Sequence, residues 1–185
     1  DEDTGHAFRP YVIKSVGGAR IAVVGQAFPR TANANPQEFF PDWSFGLREG
    51  DMISLVKGIR EDENPDAIVL LSHNGMDVDI KMAERVPGLN AVFGGHTHDG
   101  IPRPVEVKNV EGNTCLVTNA GSNSKFVGVM DFDIDGGNIK SMNYRMMPII
   151  SDWLEPDKEM QAYIDQMRQT TYDEKIVESR SSKFF

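Results

Sequence analysis

A chain of 185 residues with 39% hydrophobic and 25% charged residues has apolar content enough for one core, and it contains no apolar run long enough to span a membrane. A formal charge of −9 argues against a protein that tracks a nucleic-acid backbone, yet it leaves room for a small anionic substrate, because a local cation reverses the field inside a site. A single cysteine, Cys115, rules out an internal disulfide and leaves the redox compartment undecided.

In chain order, the polar opening DEDTGHAFRP is expected to be poorly ordered. YVIKSVGGARIAVVGQAF reads as a hairpin, with strands at 11–16 and 20–24 about a turn at Gly17 and Gly18. PRTANANPQEFFPDWSFG has no clear period and reads as a long surface loop of the kind that often carries function. LREGDMISLVKGIRED puts Met52, Leu55, Val56 and Ile59 on one face and predicts a helix. DAIVLL, residues 66–71, is a continuous apolar run, expected as a strand buried on both faces. SHNG follows, then a helix in MDVDIKMAERV, a PGLN turn, and a short buried strand at AVF, 91–93. Strand, helix and strand within about 30 residues make a parallel crossover unit. Cys115 lies in an apolar strand-like segment as a small buried residue, and an Asp135-Gly136-Gly137 turn predicts antiparallel strands around it. DKEMQAYIDQMRQTTYDEK closes the chain as a charged amphipathic helix leading away from the domain.

Three of the four histidines stand at the ends of the two crossover strands. His73 follows the strand 66–71, while His96 and His98 follow the strand 91–93 within GGHTHDG. Parallel strands put both groups at the carboxyl edge, where open α/β sheets bind ligands, and adjoining strands lie roughly 4.8 Å apart. Gly94 and Gly95 are expected to turn the chain sharply so that both following rings face inward, with Thr97 pointing away. Imidazole suits zinc, manganese and iron, so His73, His96 and His98 are candidate metal ligands. A ligating ring usually donates its other N–H to a carboxylate or carbonyl; Asn74, Asp99 and Asp77 are candidates, each with a turn or helix cap as the plainer role. His6 reads as a solvated histidine, and Arg9, Arg30 and Arg103 are candidates to contact an anion, each with a solvated or salt-bridged arginine as the plainer role. A two-metal centre needs a bridging carboxylate, and no aspartate here ends a buried parallel strand before Gly or His. Asp51 starts a helix, and Asp131 and Asp133 belong to an antiparallel strand. The residues alone describe a three-histidine metal site, either one zinc with a water or an incomplete pair.

SHNG with GGHTHDG, on these strands and at this spacing, resembles the second half of a metallophosphoesterase catalytic domain of the 5′-nucleotidase-like group. In that superfamily the ligand motifs run Asp-x-His, Gly-Asp, Gly-Asn-His, a lone His, and Gly-His-x-His. This chain carries the last two, as His73 and GHTH at 95–98. VVGQAFPRTANANPQEFFPDWSFGLRE, GGHTHDGIPRPV and TNAGSNSKFVGV further resemble the SoxB-type thiosulfohydrolases of sulfur oxidation.

The resemblance implies an α/β fold, the second half of an αββα sandwich with mixed sheets and flanking helices. Residues 1–150 would be the C-terminal half of the catalytic domain, and 151–185 a helix and linker toward a further domain. It implies two divalent metal ions, manganese foremost and zinc as the other candidate, with His73 and His96 on one and His98 on the other. The acid/base histidine is expected upstream, so no catalytic acid or base is assigned within this chain. It implies a periplasmic hydrolase that releases sulfate from a cysteine-S-thiosulfonate on a sulfur-carrier protein, leaving a carrier persulfide. The chain is then expected to be an internal fragment, inactive alone. The competing expectations are a periplasmic 5′-nucleotidase or cyclic phosphodiesterase, and a non-catalytic three-histidine module whose zinc would need Cys115 as a fourth ligand.

Overall fold

The structure, a computed structural model, describes Gly5 and residues 7–171. His6 and the terminal ESRSSKFF lie outside the described residues. The chain divides into two units, 1–149 and 150–185.

In the first unit, strands β1 (Tyr11–Val16) and β2 (Ala19–Gln26) form the expected hairpin, with Gly17 and Gly18 both at positive φ in the tight turn. β3 (Ala67–Ser72), β4 (Ala91–Gly94), β5 (Val105–Lys108) and β6 (Thr114–Asn119) complete a six-stranded sheet in the order β1-β2-β3-β4-β6-β5. β2, β3, β4 and β6 run parallel, and the two edge strands pair antiparallel. β7 (Phe126–Asp135) and β8 (Asn138–Pro148) form a separate antiparallel ribbon about the Gly136-Gly137 turn. Mixed sheets with flanking helices are thus observed.

Alternation along the strands divides the core into two. Ala22, Val24, Ile68, Leu70, Val92, Cys115 and Val117 face the helices α2 (Glu49–Asp62) and α3 (Met76–Arg85), which bury Met52, Val56 and Ile59, and Met76, Met82 and Ala83. Ile21, Ala67, Val69 and Ala91 face the other way and pack on Met130, Phe132, Ile134 and Ile139 of the ribbon. Arg60 joins α2 to the start of the crossover strands by donating to the Pro65 and Gly88 carbonyls and to Asn90 Oδ1, at 2.7–2.9 Å. The same Asn90 oxygen accepts from Ile68 N, so one amide fixes the entry of both β3 and β4.

Two expectations need correction. β3 is not buried along its whole length, because Leu71, on the ribbon side, is 51% exposed. The apolar ribbon residues Met130, Phe132, Ile134 and Ile139 pack against Ile21, Ala67, Val69 and Ala91, toward the amino ends of the strands, and Leu71 is not among the residues they cover. The loop 29–46 also holds local structure: a single turn α1 (Thr31–Ala34) and a 3-10 turn at Gln37–Phe39. Phe40 anchors it, buried edge-on against Phe45 at 5.1 Å, while Phe39 and Trp43 stay exposed.

The second unit has a 3-10 turn at Ser151–Trp153 and helix α4 (Lys158–Thr171). Asp157 Oδ1 accepts from Met160 N at 2.8 Å and so caps the first turn of α4. Among the described residues, no helix is long and apolar enough to cross a membrane.

Leu70 is fully buried in the central strand, so Leu70→Ala is expected to cost about 2–5 kcal/mol in equilibrium urea unfolding. Burial also pushes the Cys115 thiol from 9.0 up to about 12. The unfolded chain releases that proton first as pH rises, so this contribution to stability is complete below pH 9 and is lost toward pH 12. The urea midpoint is expected to fall more steeply above pH 9 in the wild type than in Cys115→Ala.

Candidate functional site

The carboxyl edge of the parallel sheet gathers aromatic rings from three neighbouring strands. His73 stands one residue past β3, and its backbone N–H donates to the Gln26 carbonyl at 3.0 Å, extending the β2–β3 pairing. His96 stands two residues past β4, whose Phe93 is in register with Leu71. The two imidazole centroids are 5.2 Å apart and edge to face. Phe28, two residues past β2, stacks on His96 at 4.1 Å with an interplanar angle of 25°, and meets His73 edge-on at 6.2 Å. Sequence pattern does not single out Phe28; the available signal is its place just beyond a third parallel strand.

The turn that follows does not work through its glycines' conformational freedom. Gly94 and Gly95 do not adopt positive φ; His96 (φ 75°) and His98 (φ 59°) do. The expected role of the glycine pair is therefore corrected: they are needed for close approach. A Cβ on Gly94 would lie 2.6 Å from Asp79 Oδ2 and 3.0 Å from the Thr118 carbonyl, and one on Gly95 would lie 3.1 Å from His73 Nδ1 and 3.2 Å from the Ser72 carbonyl. Thr97 turns its hydroxyl to Asp99 Oδ2 at 2.5 Å and accepts from Asn119 Nδ2 at 3.4 Å. The Asp99 carbonyl accepts from Gly121 N at 2.8 Å. Asp99 is thus held by the turn itself and by the end of β6.

Asn74 is buried behind His73, and its amide donates to Asp79 Oδ1 at 3.2 Å. Asp77 is exposed in the first turn of α3, where a carboxylate suits the helix dipole. Asp79, which sequence reading does not select, is fully buried and also accepts from Ser72 Oγ at 2.5 Å. Its signal was an acidic residue within the apolar stripe Met76, Asp79, Met82 and Ala83. Burial pushes its carboxyl above the ordinary range, opposed by the bonds from Ser72 and Asn74 and by the nearby His73.

Arg9, Arg30 and Arg103 are exposed. Among the described residues, no set of three His, Cys, Asp or Glu side chains comes together closely enough to hold a metal ion. His73 and His96 are brought together, His98 is in no ring contact with them, and Cys115 is buried in the helix-side core. None of these three histidines hydrogen-bonds through its ring to a described residue, and paired uncommitted imidazoles are a donor set that fits a divalent transition ion.

No protein-family model matches the chain. The UshA protein of Yersinia enterocolitica is 28% identical over 166 residues, covering 77% of this chain and 30% of its own length. The structure of sulfate thiohydrolase SoxB from Thermus thermophilus superposes with a TM-score of 0.79 and 30% identity, over 89% of this chain and 29% of that one. Both likenesses are to the 5′-nucleotidase-like metallophosphoesterase superfamily. A Thermus thermophilus 5′-nucleotidase precursor agrees, with a TM-score of 0.72 and 26% identity over 86% of this chain and 34% of that one. The chain spans about a third of the length of these superfamily members.

Gly94→Ala is expected to cost about 1–3 kcal/mol through overpacking against Asp79 and Thr118, measured by urea unfolding. Gly25→Ala on β2, where a Cβ meets open space, is expected to be close to neutral.

Proposed function

We propose that this segment belongs to a dinuclear-metal thiosulfohydrolase that releases sulfate from a cysteine-S-thiosulfonate on a sulfur-carrier protein. The observation that carries the reading is the likeness to SoxB, at 30% identity over 89% of the chain, on a sheet whose edge pairs His73 with His96. In this reading His73 and His96 hold one divalent ion and His98 helps to hold the other, manganese foremost and zinc as the other candidate. A bound divalent ion supplies Lewis acidity and a water of lowered pKa. Its charge also admits an anionic substrate to a chain of net charge −9.

Phe28 limits rotation of the His96 ring by stacking and covers one face of it from water. Asp99 fixes the turn between His96 and His98 through Thr97. Asn74 supports His73 from behind. The AFPRTANANP loop, residues 27–36, forms a wall of the substrate channel. Residues 1–150 contribute half of the catalytic domain, 151–185 lead toward a further domain, and the protein works in the periplasm. Hydrolysis breaks the bond between the sulfane and sulfonate sulfurs. The oxygen of water goes to the sulfonate sulfur as sulfate, and the electron pair of the broken bond stays with the carrier as persulfide.

A second reading, a 5′-nucleotidase, is favoured by the match to UshA and by the 5′-nucleotidase precursor structure. The two separate in one assay. The full-length protein carrying this segment, loaded with Mn²⁺, is given a carrier peptide bearing a cysteine-S-thiosulfonate and, in parallel, a 5′-nucleotide. Sulfate release without phosphate release is expected, and the reverse pattern turns the assignment to the nucleotidase. His73→Ala and His96→Ala are each expected to lower sulfate release by more than the roughly 10–100-fold that loss of an outer-shell partner costs.

A further inference from the structure

Asp79 occupies a place that the fold alone does not require. It lies on the sheet-facing stripe of α3, fully buried, where the residues on either side in that stripe are Met76 and Met82. A carboxylate buried among apolar neighbours is costly unless its oxygens have work to do. Its Oδ1 accepts from Ser72 Oγ at 2.5 Å and from Asn74 Nδ2 at 3.2 Å. The Asn74 backbone N–H in turn donates to Ser72 Oγ at 3.1 Å. The two residues held are the immediate neighbours of His73 in sequence. Its Oδ2 has no hydrogen-bond partner among the described residues. It is packed against Gly94, at the strand end two residues before His96, closely enough that a Cβ there would lie 2.6 Å away.

We propose that Asp79 is the positioning residue of the His73–His96 pair, a single buried carboxyl group whose one oxygen holds the chain on both sides of His73 and whose other oxygen seats the end of β4 that delivers His96. The idea rests on the reading of these histidines as metal ligands. Asp79 itself touches neither imidazole in a hydrogen bond, so it acts through Ser72, Asn74 and Gly94. The bare glycine at 94 is the counterpart of the carboxylate: the strand end comes in as far as Oδ2 permits. The amide of an Asp79→Asn variant has the same shape, and its oxygen can accept both bonds.

The test compares wild type, Asp79→Asn and Asp79→Ala in the full chain, at a temperature where circular dichroism shows each folded. Two quantities are read: the nuclear Overhauser contact between the His73 and His96 rings in metal-free protein, and the affinity for Mn²⁺ by calorimetry. Asp79→Ala is expected to lose the ring contact and to bind Mn²⁺ about 10–100-fold more weakly. Asp79→Asn is expected to restore both close to wild type. A folded Asp79→Ala that keeps both overturns the proposal. So does an Asp79→Asn that fails as badly as alanine, because the negative charge would then be what matters. Should Asp79→Ala not fold, Ser72→Ala removes one of the two bonds to Oδ1; a weakened ring contact supports the proposal, and an unchanged one overturns it. Wild type that binds no Mn²⁺ removes the metal reading, while the ring contact in metal-free protein still judges the role of Asp79.

Discussion

The in-register parallel pairing of β3 with β4 is the constraint on which the site depends. Val69, Leu70 and Leu71 lie beside Ala91, Val92 and Phe93, and the two strands end almost level. Hydrogen bonding fixes the spacing of parallel strands within narrow limits, so residues just past their ends inherit that spacing. His73 and His96 are neighbours for this reason before any contact between their own side chains is considered. Pairing of β2 on the far side of β3 adds Phe28 to the same edge by the same rule. Such a sheet holds together only when both faces are covered, here by α2 and α3 on one side and by the β7–β8 ribbon on the other.

At the edge itself, side-chain bulk is removed where backbones must close in. Gly94 and Gly95 allow Asp79 and the end of β3 to approach the turn, and the strained backbone is displaced onto His96 and His98. Non-glycine residues at positive φ cost of order 1–3 kcal/mol each and persist when their surroundings hold them in place. The stack of Phe28 on His96 and the bonds linking Thr97 to Asp99 and Asn119 are such surroundings. A turn so held seats the His96 ring between Phe28 and His73, which a flexible loop of the same composition would not do.

A chain spanning about a third of its relatives still holds one such edge. Each strand end places its own side chain there, so groups that meet at the edge come from residues far apart in the sequence. Those described here form an adjoining pair of imidazoles and no cluster of three. The exposure of Leu71 on the uncovered part of the ribbon side marks the same edge from within the sheet.

Much of this was legible in the sequence, because its causes are local. The continuous apolar run DAIVLL, the helical spacing of Met52, Val56 and Ile59, and the glycine pairs at 17–18 and 136–137 specify their elements through short-range sterics and periodicity. The motifs SHNG and GGHTHDG, each tied to a strand end, carry the resemblance to the superfamily and single out the candidate ligands. Tertiary structure decided what depends on distance between elements that are remote in sequence. It placed Phe28 on His96, turned Asn74 toward Asp79 behind His73, and put a carboxylate from helix α3 against a glycine of β4. Periodicity assigns a residue to a face, but it carries no information about which atoms of another element will fill the space in front of it. The glycines show the difference most clearly: their presence was plain in the sequence, while their purpose, room for neighbours rather than freedom of backbone, exists only once the neighbours have been packed.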